Sequence, residues 1–164
     1  MVSGLKLFDL NGKTALITGS SQGIGYALAK GLADAGSDII LNGRNTEKLK
    51  QSAEAINTKQ NIFQLCFDVT NYEQTKRSID KFEKDIKPID ILINNAGMQF
   101  RTPLEDFPPE MFEQLLKTNI SSVFNVSQVV AKYMIKRGEG KIINIASVQT
   151  ALARPGIAPY TATK

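Results

Sequence analysis

Five short apolar runs, each followed by a stretch with helical spacing or a turn, leave this chain few ways to fold. Thr14-Ala15-Leu16-Ile17 is the first run and reads as a buried strand. Ile24, Leu28, Leu32 and Ala35 then recur at helical intervals, with Gly36 placed to cap the helix end. Ile39-Ile40-Leu41 is a second strand, and Thr46 is predicted to cap a helix reaching about Ile56. Ile62 to Phe67 is a third strand. Thr70, with Glu73 three residues on, predicts a capping box that opens a helix to about Lys84. Ile89 to Ile93 is a fourth strand. Pro108-Pro109 opens the longest helix, to about Lys136, with Phe112, Leu115, Leu116, Ile120, Val123, Phe124, Val130 and Met134 predicted on its apolar side. Lys141 to Ala146 is the fifth strand. Strands and helices in this alternation predict an α/β fold: one parallel sheet, doubly wound, with helices on both faces.

Composition narrows the chemistry. The 164 residues suffice for one domain, and no linker, repeat or low-complexity stretch divides them. A net charge of +4, with Lys and Arg scattered, gives no stripe for nucleic acid and suits an anionic small molecule. The chain has no histidine, which excludes Ser-His-Asp chemistry and His-containing metal sites and leaves Ser, Tyr, Lys and carboxylates. No metal site is expected. The single cysteine, Cys66, lies in an apolar run and is predicted to be a buried strand thiol. Neither a signal peptide nor a membrane span is legible, so a cytoplasmic location is the default expectation.

The first strand runs through Thr18-Gly19-Ser20-Ser21-Gln22-Gly23-Ile24-Gly25 straight into a helix. Glycines there let the backbone turn sharply and approach a ligand closely. The helix start behind them offers free N–H groups and partial positive charge to a pyrophosphate. This placement predicts a Rossmann-type dinucleotide site with Gly19, Ser21, Gln22, Gly23, Ile24 and Gly25 as binding residues. At the end of the second strand, Leu41-Asn42-Gly43-Arg44-Asn45 has no acid for a ribose hydroxyl and an arginine for a 2′-phosphate, which favours NADP(H). Asp68, followed by Val69, ends the third strand and is a candidate acceptor for an adenine amino group. It is equally readable as a helix cap. Asn94-Asn95-Ala96-Gly97 ends the fourth strand, where amides and small residues permit close approach to a cofactor and tie strands together.

Tyr160 and Lys164 stand four residues apart, on one helix face. A cation beside a phenol stabilises the phenolate and makes it a general acid and base for a carbonyl–alcohol pair. Spacing alone decides nothing, because Tyr26 with Lys30 and Tyr72 with Lys76 share it. Position singles out Tyr160. It follows the fifth strand and lies thirteen residues after Ser147, whose hydroxyl could hold a substrate carbonyl.

In order and spacing, Thr18-Gly19 to Gly25, Asn94 to Gly97, Asn119, Ser147, and Tyr160 with Lys164 resemble the short-chain dehydrogenase/reductase family. The resemblance implies that Tyr160 is the acid and base and that Ser147 orients the carbonyl. It implies that Lys164 holds the nicotinamide ribose and tunes Tyr160, and that Asn119 anchors a water in the proton relay. Read without it, Asn119 is a polar surface residue. Two loops also resemble those of gluconate 5-dehydrogenases, a branch of that family: Ala96 to Leu104, and Ser147 to Pro159. The branch implies reversible hydride transfer between NADP(H) and a sugar acid, D-gluconate or 5-keto-D-gluconate. Arg101 is the first candidate for the substrate carboxylate and Arg154 the second, with Gln149 and Ser147 also facing substrate.

Two alternatives stay open: another reductase of the family, such as one acting on 3-ketoacyl thioesters, and a catalytically silent nucleotide-binding fragment. Members of the family continue beyond the equivalent of Lys164, so residues 1–164 read as a single dinucleotide-binding domain incomplete at its C-terminus. The Tyr160–Lys164 helix is then too short to be stable alone, and Ile142, Ile143 and Ile145 are left on an apolar edge. Weak NADP(H) binding and negligible turnover are the expectation for this length. Members also assemble as homo-oligomers through the long helix and the Tyr–Lys helix.

Overall fold

A computed structural model describes residues 7–164. Five parallel strands form one sheet in the order β3-β2-β1-β4-β5, with β1 at Thr14–Ile17, β2 at Asp38–Gly43, β3 at Ile62–Cys66, β4 at Ile91–Asn94 and β5 at Lys141–Asn144. The register puts Ile17 opposite Leu41 and Ile93, so these strands end at a common edge. The connection from β3 passes under the sheet to β4 on the far side of β1. The strand order therefore reverses beside β1, which opens a crevice at that edge.

Side chains alternate across the central strands and make two cores. Leu16, Ile40 and Leu92 face one way, onto Ile79 and Phe82 of α3 (Tyr72–Asp85) and Val126, Val129 and Val130 of α5 (Ser122–Arg137). Ala15, Ile17, Ile39, Leu41 and Ile93 face the other way, onto α1 (Gly23–Asp34) and α2 (Thr46–Ala55). Burial of this kind contributes about 25 cal/mol per Å² of apolar surface.

Several local expectations need correction. On α1 the sheet-facing residues are Gly25, Ala29 and Ala33, while Ile24 is 68% exposed and Leu28 and Leu32 are only partly buried. Small residues let the helix axis come close to the strands, which leaves larger ones on the flanks. Asn45, not Thr46, caps α2 by accepting the Lys48 N–H at 2.9 Å. Asn71, not Thr70, caps α3 by accepting the Gln74 N–H at 3.0 Å. Both threonine hydroxyls are bonded elsewhere, Thr46 to Cys66 Sγ and Thr70 to Asp68. Cys66 is exposed rather than buried, because β3 is an edge strand and the thiol is on its open side.

The long helix forms, but in three parts: α4 (Pro109–Leu116), a π turn at Lys117–Ser121, and α5. A π turn closes i→i+5 bonds and so shifts the phase of everything after it. One face at 3.6-residue spacing therefore cannot hold along the whole length. Leu115, Val126, Val130 and Met134 are buried, whereas Phe112, Ile120 and Phe124 are on the outside. β5 is the other sheet edge, and all of its residues are exposed. Among the described residues no helix is long and apolar enough to cross a membrane.

Candidate active site

Beyond β1 the chain turns at Thr18–Gln22 into α1, and buried side chains support that turn from below. Thr18 Oγ1 accepts the backbone N–H groups of Asn95 and Ala96, each at 3.0 Å. Asn42, 1% exposed at the end of β2, accepts the Gly19 N–H through Oδ1 at 3.3 Å and donates through Nδ2 to the Leu65 and Phe67 carbonyls. Asn95 Nδ2 donates to the carbonyls of Thr18 and Gly19. Every buried polar atom in this set has a partner, which makes the turn rigid. Close approach is built in at Gly25, where a Cβ would stand 2.5 Å from Gly19 O and from Asn95 Nδ2.

Above the turn lies a groove of about 310 Å³. Gly19, Ser21 and Gln22 form its floor, Arg44 follows from β2, Asp68 and Val69 from β3, and Asn95, Ala96 and Gly97 from β4. Nine residues expected to meet a dinucleotide thus line one cavity. Gly23, Ile24 and Gly25 do not line it. They form the first turn of α1 beside it, with Gly25 buried beneath. Asn42, Gly43, Phe67, Thr70, Met98 and Thr118 line it too, and the sequence reading gives none of them a place at the groove. An asparagine ending an apolar strand was the available signal for Asn42.

Arg44 extends 80% exposed at the groove mouth, with Nη1 3.9 Å from Asp68 Oδ2. Asp68 Oδ1 accepts the N–H and the hydroxyl of Thr70. Its carboxylate therefore orders the turn after β3, as a cap would. Asn94 is buried and donates from Nδ2 to Ser127 Oγ and Asn144 Oδ1, each at 2.8 Å, tying β4 to α5 and to β5.

Asn119 sits inside the π turn and is 5% exposed, not on the surface. Its Oδ1 accepts the Met98 N–H at 2.8 Å, and its Nδ2 donates to Met98 O at 3.0 Å and to Thr163 Oγ1 at 2.9 Å. Both amide N–H groups are engaged within the protein. The Thr163 hydroxyl in turn donates to the carbonyl of Tyr160 at 2.8 Å. A chain of hydrogen bonds therefore links the loop after β4, the π turn and α6 (Ala158–Ala162), the helix that carries Tyr160.

Lys164 Nζ donates to the carbonyl of Ile145 at 3.0 Å, just past β5. A Cβ on Gly97 would stand 3.4 Å from that ammonium, but Lys164 lines a separate cavity with Asn119, Asn144 and Ile145, and neither it nor Tyr160 lines the groove itself. Ser147 Oγ accepts the Gln149 N–H at 3.2 Å, starting a short helical turn at Val148–Thr150. Gln149 is buried and its Oε1 has no partner among the described residues. Arg101 and Arg154 are exposed, one in each of the two loops. Among the described residues none of the three Tyr–Lys spacings joins its two side chains by a hydrogen bond: Tyr72 donates to Gln128, Lys76 pairs with Asp80, and Lys164 donates to the Ile145 carbonyl.

Residues 13–164 match the short chain dehydrogenase family. The chain belongs to that family. It is 53% identical over 161 residues to the gluconate 5-dehydrogenase of Gluconobacter oxydans (strain 621H), covering 96% of this chain and 62% of that protein. It is 42% identical over 160 residues to the 5-keto-D-gluconate 5-reductase of Escherichia coli (strain K12), covering 96% of this chain and 63% of that protein. Among solved structures, a gluconate 5-dehydrogenase from Burkholderia cenocepacia J2315, crystallised with NADP and tartrate, matches with a TM-score of 0.92 and 49% identity. That match covers 99% of this chain and 64% of the other. This short chain dehydrogenase thus spans less than two thirds of the length of these relatives.

Proposed function

We propose that this chain carries the nucleotide site and acid–base residues of an oxidoreductase that interconverts D-gluconate and 5-keto-D-gluconate with NADP(H). The 53% identity to a gluconate 5-dehydrogenase carries this reading. The groove fits the cofactor. Its glycine-lined floor suits a pyrophosphate against the start of α1, and an arginine at the groove, Arg44, with no acid beside it at the end of β2, supports a cofactor with a 2′-phosphate.

When bound, NADP(H) supplies or accepts the hydride. Tyr160 takes the hydroxyl proton during oxidation and returns it during reduction. Ser147 holds the carbonyl oxygen. Lys164, against Gly97, holds the nicotinamide ribose. Arg101 and Arg154 take the substrate carboxylate, for which a guanidinium offers paired donors. Exposed Phe112, Ile120 and Phe124 along the long helix support self-association of the whole protein.

The deciding experiment follows NADPH consumption with 5-keto-D-gluconate and, separately, with a 3-ketoacyl thioester. Turnover on the sugar acid, abolished in Tyr160→Phe with nucleotide binding intact, is the expected result. Preference for the thioester would replace the substrate. A second reading, nucleotide binding without turnover, is favoured by Lys164, whose ammonium is engaged by the Ile145 carbonyl and not by Tyr160. NADPH binding with no rate on either substrate would establish it.

A further inference from the structure

The two loops that carry Arg101 and Arg154 are joined by one backbone hydrogen bond. The Thr102 N–H donates to the Gly156 carbonyl at 3.0 Å. Each arginine is one or two residues from this joint, and each is exposed on a backbone anchored on both sides. Arg101 follows Phe100, whose ring packs edge-on against Phe107 at 5.5 Å between centroids. Arg154 is followed by Pro155, with its fixed φ, then by Gly156 at φ +74°, then by Ile157, which is 1% exposed. Neither guanidinium forms an ion pair among the described residues. An anion bridging two exposed, unpaired guanidiniums on joined loops would gain charge-assisted hydrogen bonds from both.

The geometry points to Gly156 and Thr102 as positioning residues: their joint sets Arg101 and Arg154 on one lip so that both guanidiniums engage the carboxylate of a single hydroxy-acid substrate. This inference rests on the sugar-acid reading above. A left-handed φ is nearly free for glycine, tolerable for asparagine, and strained for alanine. The joint therefore depends on the residue at 156 through its backbone and not through any contact of its own.

The test measures D-gluconate affinity by calorimetry in the presence of NADP, for Gly156→Ala, Gly156→Asn, Arg101→Ala, Arg154→Ala and the double variant Gly156→Ala/Arg154→Ala. Gly138 is the control. It has the same φ of +74° at the end of α5, far from the loops, so Gly138→Ala carries a comparable strain elsewhere. Gly156→Ala should weaken gluconate about tenfold, as should each arginine variant. Gly156→Asn should recover most of that loss, and Gly138→Ala should lower Tm without changing gluconate affinity. In the Arg154→Ala background, Gly156→Ala should add little. Amide exchange at residues 97–104 should rise only in the two variants that carry Gly156→Ala.

The proposal is overturned if Gly156→Ala and Gly138→Ala change affinity equally, or if the Gly156 and Arg154 effects simply add. Should the arginine variants weaken gluconate while Gly156→Ala does not, the positioning role falls and the substrate reading stands. A wild-type chain that binds NADP but no gluconate removes both.

Discussion

Asn119 and Met98 hold each other in both directions: the Met98 N–H donates to Asn119 Oδ1 at 2.8 Å, and Asn119 Nδ2 returns to Met98 O at 3.0 Å. The second amide proton reaches Thr163, so one buried side chain links the wall of the nucleotide groove to the helix of Tyr160. Asn119→Asp should therefore be worse than loss of a single bond. A carboxylate has no proton for Met98 O or for Thr163, and its charge would be buried. Destabilisation of about 1–3 kcal/mol is expected, read as a lower Tm. NADPH affinity should fall with it, because Met98 lines the groove. An unchanged Tm would show that the pair contributes nothing.

How much of this was legible beforehand differs by residue. That the glycine turn, Arg44, and Asn95 to Gly97 gather at one groove was legible because their placement is local: a turn, a strand end, a short side chain. Asn119 was not. Its burial depends on a π turn, and nothing in Lys117-Thr118-Asn119-Ile120-Ser121 announces that the helix widens there. The same turn explains why Phe112, Ile120 and Phe124 were assigned to a buried face they do not share. Cys66 was misread for a related reason. An apolar run looks the same in a central and an edge strand, and only the strand order distinguishes them.

Asp38 supplies a pH dependence. Its carboxylate, at the start of β2, accepts the N–H and side-chain amide of Asn61 and pairs with Lys87. Burial pushes its pKa up, but the hydrogen bonds from Lys87 and Asn61, with the Lys87 charge, outweigh burial and hold it below the ordinary carboxylate range. A lowered native value means that this stabilisation is complete above about pH 4, the unfolded value, and is lost as pH falls through the native one. Asp38→Asn should lower stability by about 1–3 kcal/mol at pH 7. Its Tm and that of the wild type should converge at low pH. Parallel Tm curves down to low pH would sink the assignment.

Arg44 should separate cofactor choice from stability. At 80% exposure and 3.9 Å, its pairing with Asp68 is a surface contact of little energetic weight. Arg44→Ala should leave Tm unchanged. Toward a 2′-phosphate, by contrast, the loss of charge-assisted hydrogen bonds is worth about 1.5–3 kcal/mol, or about 10- to 100-fold. Fluorescence titration should show NADPH affinity falling by that factor with NADH affinity unaffected. Equal losses for the two cofactors would mean that Arg44 does not read the phosphate.

Two glycines on α1 should answer the same substitution with opposite signs. At Gly25 a new Cβ would meet Gly19 O and Asn95 Nδ2 at 2.5 Å and Ser20 Cα at 2.9 Å. Two of those three are backbone atoms of the nucleotide turn, which buried bonds from Thr18 and Asn42 prevent from yielding. Gly25→Ala should cost about 1–3 kcal/mol and take NADPH binding with it. Gly31, two turns further along the helix, is exposed and has nothing within 4 Å of the same position. There alanine meets no obstacle, and it restricts the unfolded chain more than glycine does. Gly31→Ala should gain about 0.5–1 kcal/mol and leave NADPH affinity alone. If both variants lost stability, close contact at Gly25 could not be the reason, since Gly31 has none.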